Sequence, residues 1–320
     1  MENRKVVIIG SGAVGSTTAY TMMFNESINE IVIIDINKDK AIGDALDIQH
    51  GMAFLSPKKI YAGDYKDIKD AHIIIITAGV AQKPNETRLD LLKKNLRVFD
   101  DIIKNMKPYL DEAAIVLVVT NPVDILSYFT YLKLGIDASR VIGSGTVLDT
   151  ARLKAILSED TGIDPRNIHT FVLGEHGDSE VAAWSVTTVG GMPLLDYCNT
   201  CGKCNYNNKK HLEELLDKVR GAAYEIIERK GATFYAIAIS INKIVEVILN
   251  NQNSVLTVSS YIESMFDNQI SNVYLSLPVV VNSKGVKNII TLNYSDEEIK
   301  QIVKSANILK SQYEVFKEFL

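Results

Sequence analysis

The segment Lys5-Val-Val-Ile-Ile-Gly-Ser-Gly-Ala-Val-Gly15, close to the start of the chain, decides the class of fold. Its apolar residues predict a buried strand over Lys5–Ile9, and the residues from Val14 to Phe24 have the pattern of a helix. Between them lies a glycine turn with the spacing Gly-x-Gly-x-x-Gly. A strand, a glycine turn and a helix in this order are typical of a dinucleotide-binding unit.

The three glycines of this turn have different predicted roles. Gly10 permits the tight turn, Gly12 lets the backbone approach a pyrophosphate, and Gly15 lets the helix pack closely on the strand. The amide groups at the start of the helix, beside Val14, then face the phosphates. The alternative is a purely structural glycine turn.

The second predicted strand, Glu30–Asp35, ends in a carboxylate about 20 residues after Gly15, as expected for a ribose-binding residue. A carboxylate at Asp35 accepts a hydrogen bond from the ribose 2′-hydroxyl and repels a 2′-phosphate. No Arg or Lys follows it immediately, so the sequence favours NAD over NADP. The other predicted cofactor contacts are Asn121 and, at the end of the third predicted strand (Ala71–Ala78), Thr77, Ala78 and Gly79.

Further strands are predicted over Ala71–Ala78, Ala113–Thr120 and Arg140–Gly143, with helices over 36–52 and 85–106. Continuous apolar strands that alternate with helices indicate a parallel sheet covered on both faces. We therefore predict an α/β protein with a Rossmann-type doubly wound parallel sheet, followed by an α+β substrate domain. The expected domains are residues 1–145, which bind NAD, and residues 146–320, which carry the catalytic groups.

The second region has a different pattern. Residues 147–160 and 208–250 are predicted to be helical, and the stretch Cys198–Lys210 is predicted to be an exposed loop. Antiparallel strands are expected over 255–292, with a hairpin turn at Asn282–Gly285. Ser295 and Glu298 form a predicted capping box at the start of the last helix, which is expected to continue through Phe316.

Composition excludes several classes of protein. A chain of 320 residues with 47% hydrophobic and 23% charged residues is typical of a folded protein with two packed regions. A net charge of −5 without a long basic run argues against nucleic-acid or membrane partners. No apolar stretch approaches a membrane span and no signal peptide is recognised, so we expect a cytoplasmic protein.

Cys198, Cys201 and Cys204 have the spacing of metal ligands. Three thiols fall short of the usual four ligands, and three cysteines do not make a disulfide framework. We therefore expect no metal here, but a mobile loop with exposed thiols that are prone to oxidation.

Three polar segments supply candidate catalytic groups. His176 lies among glycines, Asp149 and Arg152 share a helix face, and the segment from Gln82 to Arg88 follows the third strand. Each segment also has a non-catalytic explanation: His176 could be a structural histidine, Asp149 and Arg152 a surface ion pair, and the segment from Gln82 to Arg88 a solvated loop.

Together with the glycine turn, these segments resemble the L-lactate/malate dehydrogenase family, and within it the bacterial L-lactate dehydrogenases. The matching stretches are GSGAVG at 10–15, DIQHG at 47–51, TAGVAQKPNETRLDLLKKN at 77–95, TNPVD at 120–124, SGTVLDTAR at 144–152, LGEHGDSE at 173–180 and KGAT at 230–233. They span most of the chain in the family's order.

The resemblance implies a role for each matching residue. His176 would be the general acid/base for a pyruvate carbonyl, and Asp149 would hold its other ring nitrogen and favour the imidazolium. Arg152 would bind the substrate carboxylate with both branches of its guanidinium. Arg88, on a closing lid, would polarise the carbonyl.

Asn121 would also orient the carbonyl and the cofactor, and Thr233 would line the substrate pocket. The family's malate dehydrogenases usually carry Arg at the position of Gln82, where it pairs with the second carboxylate of oxaloacetate. A neutral Gln82 leaves that carboxylate unpaired, which favours lactate and pyruvate. A malate or branched-chain 2-hydroxyacid dehydrogenase on the same fold is the nearest alternative, and a non-catalytic dinucleotide-binding protein is the more distant one.

The resemblance also implies a homotetramer, or a dimer in equilibrium with one. Many bacterial relatives bind fructose 1,6-bisphosphate through an Arg and a His at the positions of Lys154 and His169. The His is kept and the Arg has become Lys, which can still bind phosphate as a point charge. A surface lysine and a structural histidine are the alternative.

Overall fold

The computed structural model describes residues 4–80, 87–202, 206 and 208–320, with Arg88 described by its backbone alone. The elements up to residue 143 are β1 (Lys5–Ile9), α1 (Ala13–Met22), β2 (Glu30–Ile34), α2 (Lys38–His50), β3 (Lys59–Ala62), β4 (Ile73–Ile76), α3 (Arg88–Met106), β5 (Ile115–Val118), α4 (Val123–Leu134) and β6 (Val141–Gly143).

The elements that follow are α5 (Val147–Thr161), β7 (Ile168–His169), β8 (Val172–Leu173), β9 (Val181–Ala182), β10 (Thr188–Val189), β11 (Met192–Pro193), α6 (Leu194–Cys201), α7 (Lys209–Lys230), α8 (Tyr235–Leu249), β12 (Ser254–Leu256), β13 (Ser259–Met265), β14 (Ile270–Ser276), β15 (Val279–Asn282), β16 (Gly285–Ile289) and α9 (Asp296–Ser311).

A sheet of eight strands lies at the centre, in the order β14-β13-β6-β5-β4-β1-β2-β3. The six strands from the first half are parallel. Strands β1, β4 and β5 are buried throughout, because helices cover both faces of the sheet. The chain reverses its strand order between β1 and β4, and the crevice at such a point is where open α/β sheets bind ligands.

The second half extends this sheet and shares its core. The antiparallel hairpin β13–β14 joins the edge of β6, where Ser259 pairs with Gly143. One hydrophobic cluster contains Val7 and Phe99 from the first half together with Tyr274 and Leu309 from the second. Because the two halves share this core, the side chains of one half have a fixed position relative to those of the other. None of the helices in the described ranges is both long and apolar enough to cross a membrane.

Several local predictions are confirmed. The segment 254–289 forms antiparallel strands, and Asn282 and Gly285 close the hairpin β15–β16. The capping box at α9 is present, with Ser295 accepting from the Glu298 amide and the Glu298 side chain accepting from the Ser295 amide.

Other local predictions are wrong. The helix predicted over 208–250 is interrupted, because Gly231 ends α7 with φ +86° and α8 begins only at Tyr235. The last helix ends at Ser311, and the residues from Tyr313 to Glu318 form a 3₁₀ turn. The predicted loop at 198–210 is wrong at its start, where Cys198 lies in α6 and is buried against a hydrophobic cluster. The thiol of Cys198 is therefore not exposed as expected.

Candidate active site

The glycine turn after β1 has the geometry that its sequence predicts. Gly10 has φ +111°, and a Cβ there would lie 2.5 Å from the Ala78 nitrogen. A Cβ on Gly15 would lie 1.8 Å from the Gly10 oxygen, so only glycine lets α1 pack on the turn. At Gly12 a Cβ would meet nothing within 4 Å. The space beside Gly12 at the start of α1 is therefore open, as the approach of a pyrophosphate would require.

Asp35 directly follows β2 and is fixed by two backbone amides. Its Oδ2 atom accepts from the Ser11 amide at 2.5 Å, and its Oδ1 atom accepts from the Asn37 amide at 2.8 Å. Both oxygens keep a second lone pair for a ribose hydroxyl. Lys38 also lines this space but is paired with Asp64 at 2.7 Å, so the Asp35 carboxylate would repel a 2′-phosphate placed there.

A cavity of about 790 Å³ lies at the crevice between β1 and β4. Among the predicted cofactor residues it is lined by Gly10, Gly12, Asp35, Thr77, Ala78 and Gly79. Gly15 is buried beneath the turn and Val14 is partly buried, and neither is among the lining residues. Apolar side chains that the sequence did not single out form part of the remaining wall, namely Ile36, Tyr65, Val98 and Ile102, and the charged residues Lys38, Asp64, Arg97 and Asp101 also line it. A volume of this size with both apolar and polar walls fits a dinucleotide.

A second cavity, of about 280 Å³, contains the predicted chemical groups. Asp149 and Arg152 enter it from α5, His176 from the loop between β8 and β9, and Asn121 from the end of β5. The loop of His176 is fixed from two sides. Ser305 of α9 accepts from the Glu175 amide at 2.8 Å, and Gly174 exchanges two backbone hydrogen bonds with Ser276 of β14.

Asp149 joins the predicted acid/base to the predicted carboxylate-binding group. Its Oδ2 atom lies 2.6 Å from Nδ1 of His176, and its Oδ1 atom accepts from Nη1 of Arg152 at 2.7 Å. Asp149 is 2% exposed, whereas about a quarter of the His176 side chain remains accessible. The arrangement leaves Nε2 of His176 as the ring nitrogen available to a ligand in the cavity.

The charges around His176 keep its imidazole protonated. Burial by itself opposes the imidazolium, but the adjacent Asp149 carboxylate, its hydrogen bond, and the charges that Asp124 and Glu180 carry when they are ionised outweigh that effect and raise the pKa of His176 to about 9. Asp124, on α4, accepts from the His176 amide at 2.8 Å and from the Ser259 hydroxyl at 2.5 Å. A protonated acid is thus present at neutral pH.

The sequence analysis gave no role to four charged residues that line this cavity, namely Glu175, Asp178, Glu180 and Arg220. Glu180 is buried, and Arg220 of α7 donates from Nη2 to the Glu180 backbone oxygen at 2.7 Å. The nearest ligand atoms of Asp149, His176 and Glu180 lie within 4.8 Å of one another. Glu180 belongs to the matching stretch at 173–180, which was the available signal, while Arg220 lies outside every quoted stretch.

The other predicted residues lie elsewhere. Gln82 and Cys204 are outside the described residues, and Arg88 begins α3 with its side chain undescribed. Thr233 is in the bend between α7 and α8 and is absent from the described lining of the second cavity. Lys154 is half-buried on α5, and His169 is exposed on the adjacent strand β7.

Comparison with known proteins gives matches over nearly the whole chain. Residues 4–143 match the family model described as the NAD binding domain of lactate/malate dehydrogenase, and residues 146–320 match its alpha/beta C-terminal domain. The L-lactate dehydrogenase of Thermoanaerobacter sp. (strain X514) is 54% identical over 307 residues, which cover 96% of this chain and 97% of that protein. L-lactate dehydrogenase 1 of Clostridium acetobutylicum is 50% identical over 310 residues, which cover 97% of each chain.

Solved structures are also similar. A lactate dehydrogenase from a deep-sea metagenome library of the Medee basin superposes with a TM-score of 0.94 at 43% identity, covering 99% of this chain and 100% of that one. The minor L-lactate dehydrogenase of Enterococcus mundtii, in its ligand-bound form, gives 0.91 at 43% identity and covers 98% of each chain.

Proposed function

Since the chain belongs to the lactate/malate dehydrogenase family, we propose that it is an NAD-dependent L-lactate dehydrogenase, which reversibly reduces pyruvate to L-lactate. The observation that carries this proposal is the Asp149 carboxylate between His176 and Arg152 in one cavity. NADH, when bound, supplies the hydride that reaches the carbonyl carbon.

The residues of this chain bind the keto acid and move the proton. Arg152 binds the substrate carboxylate through guanidinium N–H groups, while one of its nitrogens is held by Asp149. His176 donates the proton from Nε2 to the carbonyl oxygen as the C2–H bond forms, and Asp149 stabilises the imidazolium before that transfer. In lactate oxidation His176 takes the same proton back.

Further assignments rest on the resemblance. Arg88 polarises the carbonyl, Asn121 orients it beside the cofactor, and Thr233 lines the pocket. Asn121 has support from its position in the cavity of His176. Gln82 selects pyruvate over oxaloacetate, because an uncharged amide cannot neutralise a second carboxylate. The alternative substrates, malate or a branched-chain 2-hydroxy acid, have no specific observation in their favour.

The test is NADH oxidation with pyruvate by the wild-type enzyme and by the variant His176→Asn, with chiral analysis of the product. We expect L-lactate from the wild type, and a loss of at least about a hundredfold in turnover with NADH binding retained in the variant. The control His211→Asn replaces a histidine on α7 outside the cavity and leaves turnover unchanged. Undiminished turnover in His176→Asn contradicts the mechanism.

We propose that the domains divide near residue 145, so that residues 1–145 bind NAD and residues 146–320 carry His176, Asp149 and Arg152. We further propose a cytoplasmic homotetramer. Exposed apolar side chains on three helices support self-association, namely Ile42 and Leu46 on α2, Tyr20 and Phe24 in or just after α1, and Tyr235 and Ile239 on α8, which packs against α1. Sedimentation equilibrium of the purified chain tests the proposed assembly.

A fructose 1,6-bisphosphate effector site is proposed at Lys154 and His169. Its support is that α5 packs against β7, which places the two residues in neighbouring elements. Burial lowers the pKa of Lys154, and a phosphate group beside it would favour the charged form.

A further inference from the structure

Glu180 is a buried carboxylic acid for which the proposed reaction has no use. It is the last residue of the loop between β8 and β9 that carries His176, and only 2% of its surface is exposed. Its Oε1 atom is buried without a hydrogen-bond partner among the residues that the structure describes. An ionised carboxylate is strongly disfavoured in such a place, so the site favours the neutral acid.

Neighbouring cations do not compensate for this burial through a hydrogen bond to the carboxyl group. Arg220 donates to the backbone oxygen of Glu180, and its Nη1 atom is directed to Glu213 at 2.8 Å and Asp217 at 3.0 Å. Arg152 is held by Asp149. Within the described part of the chain, Glu180 therefore lies close to positive charges that are already paired with other carboxylates.

Carboxylates from other elements face the same cavity or its histidine. The charged and titratable groups around Glu180 and His176 are Asp149 and Arg152 of α5, Arg220 of α7, Asp124 of α4, and Glu175 and Asp178 of the loop. Burial first, and then the charge of Asp149, raise the pKa of Glu180 to about 8. Glu180 therefore changes between its neutral and its ionised form near pH 8.

A substrate carboxylate must enter this cavity beside Glu180. The cavity holds only about 280 Å³, and both Glu180 and Arg152 line it. An ionised Glu180 would repel the incoming carboxylate at close range in a site shielded from water, whereas a protonated Glu180 would not. The same substrate also requires the protonated form of His176.

We propose that Glu180 is a positioning residue that must hold a proton before a 2-keto acid binds, so that the binding site is complete only when both His176 and Glu180 are protonated. This inference rests on the proposed function, because it takes a carboxylate at Arg152 as the ligand. Binding at high pH then takes up two protons, one on each residue.

The test uses oxamate, which has the carboxylate and carbonyl of pyruvate but cannot accept a hydride. Its affinity for the enzyme–NADH complex is measured by NADH fluorescence from pH 7 to pH 10.5. At the alkaline end neither residue is protonated in the free site. If oxamate binding takes up two protons, the affinity falls there about a hundredfold per pH unit; if it takes up one proton, the affinity falls about tenfold. We expect the steeper dependence for the wild type and the shallower one for Glu180→Gln, with similar affinities at pH 7.

Two variants serve as controls. Glu180→Asp keeps a titrating carboxyl group and retains the steeper dependence, and Glu228→Gln, an exposed position of α7, behaves as the wild type. The same slope in Glu180→Gln and the wild type would overturn the proposal. So would a loss of oxamate binding in Glu180→Gln already at pH 7, because an amide replaces a neutral carboxyl group without a change in charge. If instead the proposed function is wrong, the wild-type enzyme does not oxidise NADH with pyruvate, which is measured separately.

Discussion

Nδ1 of His176 lies 2.6 Å from Oδ2 of Asp149, and this contact sets the protonation state of the acid/base. The other oxygen of Asp149 holds Arg152 at 2.7 Å. One carboxylate therefore orients both the proposed proton donor, His176, and the proposed carboxylate-binding group, Arg152. Removal of its charge affects both.

The variant Asp149→Asn tests this relationship through pH dependence. Asp149 raises the pKa of His176 to about 9, and burial raises the pKa of Glu180 to about 8, so pyruvate reduction by the wild type declines only as the pH rises through these two values. Without the negative charge the pKa of His176 falls towards its ordinary value of 6.5, and reduction declines from a correspondingly lower pH. At pH 7.5 a histidine of pKa 6.5 is only about one tenth protonated, so kcat/KM falls at least about tenfold.

The measurement is the pH profile of kcat/KM for pyruvate in both enzymes. Because both are protonated below pH 6, the difference between them narrows as the pH is lowered. An alkaline limb that stays in place in Asp149→Asn would show that another group controls the protonation of His176.

The open space at Gly12 predicts a defect in cofactor binding. The branched side chain in Gly12→Val would occupy the space beside the start of α1, so NADH should bind at least about tenfold more weakly, or 1.4 kcal/mol. The control is Gly43→Ala, which adds a Cβ where nothing lies within 4 Å on an exposed part of α2. Equal NADH affinities for Gly12→Val and the control would show that the turn does not approach the cofactor.

The effector proposal predicts that fructose 1,6-bisphosphate lowers KM for pyruvate. In Lys154→Ala the concentration needed for half-maximal activation should rise about tenfold, because a charged contact to phosphate is lost. Lys218→Ala removes an exposed lysine of α7 as a matched control. Activation that is unchanged in Lys154→Ala, or absent in the wild type, contradicts this site.

The cofactor turn was predictable because its determinants are local. Gly10 needs a positive φ, Gly15 needs close backbone contact, and Asp35 follows its strand directly, and each requirement can be recognised in a short segment. The capping box of Ser295 and Glu298 was predictable for the same reason.

Features that depend on tertiary packing were missed. β3 is a partly exposed edge strand in which only Ile60 is buried, so its pattern is weak. α4 is buried on most of its surface and has no clear polar face, so it was not singled out. The contact of Arg220 with Glu180 joins residues 40 positions apart, and no short segment reveals it.

The family's motifs nevertheless named candidate site residues position by position, and four of them lie together in the structure. Asp149, Arg152, His176 and Asn121 line one cavity, as a single site requires. What the motifs could not give is the electrostatic balance, since the pKa of His176 depends on Asp124 and Glu180 as well as on Asp149.

Substrate choice is the central claim, and it is tested most directly by steady-state NADH oxidation with pyruvate, oxaloacetate and 2-ketoisocaproate side by side. We predict that kcat/KM for pyruvate exceeds the other two by at least about a hundredfold, roughly 3 kcal/mol. In Gln82→Arg the ratio should move towards oxaloacetate, because the new charge pairs with its second carboxylate. A wild-type preference for oxaloacetate or 2-ketoisocaproate would contradict the assignment as an L-lactate dehydrogenase.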